Sequence, residues 1–110
     1  MAQKGILVDY EYCAGCHSCE VACMQEHNLP VGQFGIRVKE YITVTPEGRT
    51  VIDYIPEITE ICDLCASRIE RGQLPSCVKH CQCRCMTYGD TADLAKSGQD
   101  RKKTTILTPR

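Results

Sequence analysis

Cys13-Ala14-Gly15-Cys16-His17-Ser18-Cys19-Glu20-Val21-Ala22-Cys23 is the stretch that decides how this chain folds. Four cysteines fall within eleven residues, separated by two, two and three others. A second group follows a long cysteine-free interval: Cys62-x2-Cys65-x11-Cys77-x3-Cys81, then Cys83 and Cys85. The ten cysteines make up about 9% of the 110 residues, a density that marks a metal or disulfide scaffold. A short β-like run precedes each group, Lys4–Asp9 before the first and Asp53–Ile61 before the second. The chain therefore reads as a weak internal repeat of lead-in, cysteine motif and short helix.

Outside the cysteines the apolar inventory is thin. Leu, Ile, Val and Phe total 23 residues, or 21%, with a single Phe and no Trp. A chain of this length with so small a core needs a covalent or metal staple. The composition argues against an enzyme built around a large substrate cavity. It also excludes a membrane span, because apolar runs such as Ile6-Leu7-Val8 extend over only a few residues. The start, Met1-Ala2-Gln3-Lys4-Gly5, carries no apolar core of a secretory signal. The cytoplasm is the expected compartment, or export in the company of a signal-bearing partner. In the cytoplasm thiols stay reduced, so disulfides are the lesser use of these cysteines.

Local patterns fill in the rest. Cys19 to His27 suits a short helix stopped by Asn28-Leu29-Pro30. Ile36 to Val44 alternates at period two through most of its length, Thr45 to Arg49 has turn chemistry, and Thr50 to Ile55 is again strand-like, which predicts a β-hairpin over 36–55. Ala66–Arg71 is a candidate helix ended by Gly72, Thr91–Ser97 a further turn or two of helix, and Thr104–Leu107 a final edge strand.

A [4Fe–4S] cube needs four thiolates at its corners. In bacterial two-cluster ferredoxins a C-x2-C-x2-C-x3-C run gives three ligands to one cube, and its fourth cysteine to the other. Applied here, the first cluster takes Cys13, Cys16, Cys19 and Cys81, and the second takes Cys62, Cys65, Cys77 and Cys23. Such an exchange makes metal loading and folding one event. Zinc knuckles fit poorly, since four cysteines between 13 and 23 are hard to place around one tetrahedral ion. A thiol redox switch would not need eight cysteines at these spacings.

The first motif, with its continuation Met24-Gln25-Glu26-His27-Asn28-Leu29-Pro30, resembles the iron–sulfur subunits of molybdenum- and tungsten-pterin oxidoreductases, the dimethyl sulfoxide reductase iron–sulfur subunit family. Cys62-Asp63-Leu64-Cys65, Arg68, Gly72, Pro75, Cys77-Val78-Lys79, Cys81 and Gly89-Asp90 extend the resemblance over residues 4–90. Many members carry four clusters; this chain has ligands for two. Gln82 stands where a C-P pair would put proline, which returns an N–H able to reach a cluster sulfur. Cys83 and Cys85 stand where the family commonly has small residues. Read as an extended segment, Cys81, Cys83 and Cys85 share one face. They are then small buried thiols near a cluster, with Cys81 kept as the ligand, or else further or replacement ligands. His17, His27 and His80 read as exposed or hydrogen-bonded spectators, with His17 and His80 the alternative candidates for tuning a cluster potential by proton-coupled hydrogen bonding. Arg101-Lys102-Lys103 reads as a solvated run or as a dock for an acidic face of a partner, too short and without aromatics for a nucleic-acid patch.

The expected fold class is α+β, a bacterial ferredoxin-like two-cluster fold with short helices, short strands and an inserted β-hairpin. Residues 1–110 form one domain, with 36–55 as the hairpin insertion and 91–110 as a C-terminal tail that packs little against itself and contacts a partner. The chain is then no enzyme. It is expected to relay single electrons in anaerobic metabolism, to or from a large catalytic subunit holding a pterin metal or flavin, with a further electron carrier beyond. A freely diffusing ferredoxin is the alternative, disfavoured by a formal net charge of only −1.

Overall fold

The computed structural model describes residues 3–109. Met1, Ala2 and Arg110, at the ends of the expected domain and tail, lie outside the described residues. The described residues form a small α+β domain with two antiparallel sheets. Strand β1 (Lys4–Asp9) is the centre of the first, flanked by β4 (Met86–Asp90) and β5 (Thr104–Leu107). It pairs Lys4 with Asp90 through Val8 with Met86 on one side, and Ile6 with Leu107 through Asp9 with Thr104 on the other.

A run of three apolar residues suits a strand covered on both faces. Ile6, Leu7 and Val8 are all buried. Ile6 and Val8 point to one face and meet Cys19, Cys23, Cys77 and Cys85 in the core. Leu7 points to the other face, where helix α4 (Thr91–Gly98) sets Gly98 beside it. The C-terminal segment thus packs more closely on the rest of the chain than the expected tail, while Thr104–Leu107 forms an outer strand. Leu94 is buried, and β5 completes the sheet that β1 begins.

The hairpin consists of β2 (Ile36–Val44) and β3 (Thr50–Ile58). Its turn closes with Gly48 at φ 84°, where glycine meets no steric cost. The hairpin runs three residues further than the expected end at Ile55, through Pro56 to Ile58. Pro56 lies opposite Val38, whose N–H turns away from β3 toward Glu20. The pair is therefore of the kind that exchanges no ladder bonds, and the missing proline N–H costs nothing. The inner half, with Ile36, Val38 and Pro56, is buried; Ile42, Val44 and Ile52 on the outer half are exposed.

Helix α1 (Ser18–His27) starts after His17 and stops at Asn28, both in the left-handed region. Helices α2 (Ala66–Glu70) and α3 (Ser76–His80) follow the second cysteine pair. Buried Arg68 fastens α2 by donating to Glu26 of α1 at 2.9 Å and to the Leu74 carbonyl at 2.8 Å. The Ser76 hydroxyl donates to the Ala22 carbonyl at 3.2 Å and joins α3 to α1. Among the described residues no helix is long and apolar enough to cross a membrane.

Candidate metal centres

The cysteines gather around two enclosed spaces. Cys23 from α1 lines the first, with Cys62, Cys65 and Cys77. Cys13, Cys16 and Cys19 line the second, with Cys81, Cys83 and Cys85. Apolar residues close both, Ile6, Ile36 and Leu64 around the first, Val38, Pro56 and Met86 around the second.

Backbone curvature produces this gathering. Gly15 and His17 in the first motif, and Leu64 and Cys65 in the second, take positive φ. For non-glycine residues that conformation is uncommon and strained. It turns successive N–H groups inward, the concave arrangement that binds anionic sulfur. The N–H of Leu64 lies 3.4 Å from the Cys62 sulfur, and that of Ser76 lies 3.5 Å from the Cys65 sulfur. The N–H groups of Gly35 and Ile36 face Cys23. Gly35 is required by proximity, since a methyl there would sit 2.5 Å from the Cys23 sulfur. The Tyr54 ring of the hairpin covers Gly15 closely enough to exclude a side chain at that position too.

The sulfurs differ in electrostatics. Burial pushes the Cys19 thiol up to about 12 and the Cys23 thiol to about 11. Burial also raises Cys13, Cys62, Cys65, Cys77 and Cys85. Cys16 alone is lowered, chiefly by the N–H and hydroxyl of Ser18, with a further N–H from Gln82. It is also the exposed cysteine, at the rim of an open groove of about 590 Å³ between α1 and α3. Buried thiols of this kind stay protonated until a cation displaces the proton.

Two features depart from expectation. Residues 81–85 are not extended: Gln82 and Cys83 form a turn and Arg84 takes φ 50°. Cys81, Cys83 and Cys85 border the same space because the chain folds back, not because a strand alternates. His27 makes a contact across to the second motif that the expectation did not include. Its Nε2 lies 3.1 Å from the Cys65 sulfur. The helical spacing of four from Cys23 to His27 was the available signal, because it sets both on one face of α1. Glu20 was also missed. It is buried and accepts the Val38 N–H at 2.5 Å, tying the hairpin to α1. His17 and His80 do bond to their own helices, His17 to Glu20 and His80 to the Ser76 carbonyl.

No family model matches the chain. Over 75 residues, 68% of its length, it is 37% identical to a tetrathionate reductase subunit of Archaeoglobus fulgidus, covering 29% of that protein. Over 94 residues, 80% of its length, it is 30% identical to a sulfite dehydrogenase subunit of Allochromatium vinosum, covering 30% of that protein. A 38-residue stretch, 34% of the chain, is 50% identical to a Halobacterium salinarum protein bearing the name of a dimethyl sulfoxide reductase iron–sulfur subunit, covering 14% of it. The chain thus matches less than a third of the length of each of these relatives. It is similar to subunits of oxidoreductases, one of them bearing the name of an iron–sulfur subunit. The likeness to the dimethyl sulfoxide reductase iron–sulfur subunit family is shown by these relatives.

Proposed function

We propose that the chain holds two [4Fe–4S] clusters and passes single electrons between them, to or from the catalytic subunit of an oxidoreductase. One cluster is assigned Cys13, Cys16, Cys19 and Cys81, the other Cys62, Cys65, Cys77 and Cys23. The observation that carries this is the crossing of the two motifs. Cys23 stands with the second motif's cysteines, and Cys81 stands with the first motif's. The residues suit such clusters: each space offers at least four sulfurs, inward N–H groups and an apolar wall.

The clusters, when bound, supply one-electron redox chemistry. The chain supplies the route. Cys19 and Cys23 lie on the same helix, four residues and about 6 Å of axial rise apart, yet border different spaces. Helix α3 gives Cys77 to one space, and Cys81 follows at its end to border the other. Two short helical connections therefore join the centres. The exposed Cys16 at the open groove is the point where an electron leaves or enters. A catalytic subunit with a pterin metal or flavin docks there, and the outer hairpin within 36–55 and the 91–110 segment contribute to the contact. The relatives' names, each that of a reductase or dehydrogenase subunit, support the existence of such a partner.

Anaerobic purification followed by iron and sulfide analysis and EPR tests the reading. About eight irons per chain and two reducible centres are expected. Compact, colourless, iron-free protein would overturn it. Purification from native cells with a bound large subunit is expected as well; a lone holo-monomer would favour a diffusing ferredoxin.

A further inference from the structure

Six cysteines border the space around Cys13, Cys16 and Cys19, where a cube requires four. The surplus is placed in a definite way. Cys81 follows directly on α3, and Cys85 precedes β4 with its carbonyl fixed by the Asp9 N–H at 2.8 Å. Between them the chain reverses, with the Arg84 N–H donating to the Cys81 carbonyl at 3.3 Å. The reversal brings the Cys81 and Cys85 sulfurs to 3.6 Å, within hydrogen-bond reach for sulfur. Cys85 is the deeper of the two at 4% exposure. Among the described residues no other pair of cysteine sulfurs is joined by a hydrogen bond.

We infer that Cys81 and Cys85 act as an interchangeable pair at the fourth corner of this cluster, one bound as thiolate and the other donating its S–H to it. This rests on the two-cluster reading above. The exchange is balanced. The iron–sulfur bond to Cys81 breaks and one to Cys85 forms, while the Cys85 proton passes to the released Cys81 sulfur. No electron is gained or lost and the net charge is unchanged. The pair thus gives the corner a reserve ligand, and in the resting state a hydrogen bond onto the bound sulfur. Cys83 borders the same space but makes no hydrogen bond to either sulfur, and is not a member of the pair.

Alanine is the right probe, because serine oxygen can itself bind iron. Cys81→Ala, prepared anaerobically, is expected to keep about eight irons per chain, and Cys81→Ala/Cys85→Ala to fall to about four. Cys85→Ala alone is expected to keep about eight, and to lower the potential of one centre while leaving the other in place, because the S–H donor is gone. Three results would overturn the inference: Cys81→Ala holding about four irons or failing to assemble, the double variant still holding about eight, or Cys85→Ala with both potentials unmoved. Iron content of the unaltered chain separates the two levels. If it lacks about eight irons, the two-cluster reading itself fails.

Discussion

The Nε2 atom of His27 lies 3.1 Å from the sulfur of Cys65, linking the end of α1 to the turn before α2. The imidazole belongs to the first cysteine motif's helix, while the sulfur belongs to the second motif. With iron bound, the sulfur carries more negative charge in the reduced state, and a donor onto it favours reduction. His27→Leu should lower the potential of the centre at Cys65 by about 40 mV, the equivalent of about 1 kcal/mol for one electron. The other centre should stay where it is. Spectroelectrochemical titration of both proteins checks this, and two unmoved potentials would mean that the contact carries no charge interaction.

Glu20 anchors the hairpin. Its carboxylate accepts the Val38 N–H from inside the protein, on the side that the hairpin's second strand does not cover. Glu20→Ala leaves that N–H without a partner and should cost about 1–3 kcal/mol of stability. Glu20→Gln keeps an acceptor and should recover most of the loss. Thermal melts of the anaerobic holoprotein measure both; equal losses in the two variants would point to charge rather than to the accepted hydrogen bond.

Gly35 is held against Cys23. A β-carbon there would come within 2.5 Å of the sulfur, whereas one at Gly89 would meet only Leu94 at 3.8 Å. Gly35→Ala should displace Cys23, cost about 1–3 kcal/mol through overpacking, and deplete one centre of iron. Gly89→Ala should load normally. Iron analysis with melting curves distinguishes the two, and full iron in Gly35→Ala would show that Cys23 has room to move.

Much of this was legible in the sequence because cysteine spacing is covalent arithmetic. The short interval from Cys13 to Cys23 allows few ways of wrapping a group, and alternation from Ile36 onward marks a strand wherever the chain goes next. What was hidden depends on tertiary context. The hairpin reads as ending at Ile55, and only the turn of the Val38 N–H away from β3 lets the strand continue through Pro56. Helix α3 is five residues long, too short to show a period. Thr91–Ser97 reads as a turn or two of helix, but what it packs on is hidden until Leu7 is seen to offer it a second face of β1. The placement of Cys85 depends on Arg84 taking a left-handed conformation that its residue type does not announce.

The central claim is that the motifs exchange ligands, and Cys23 tests it most directly. Cys23→Ala alters the first motif only. The account predicts that the anaerobic variant loses the centre whose potential responds to His27→Leu, and retains the signal of the one bordered by Cys13, Cys16 and Cys19. EPR at graded potentials reads this. Loss of the His27-insensitive centre instead, or survival of both, would contradict the account.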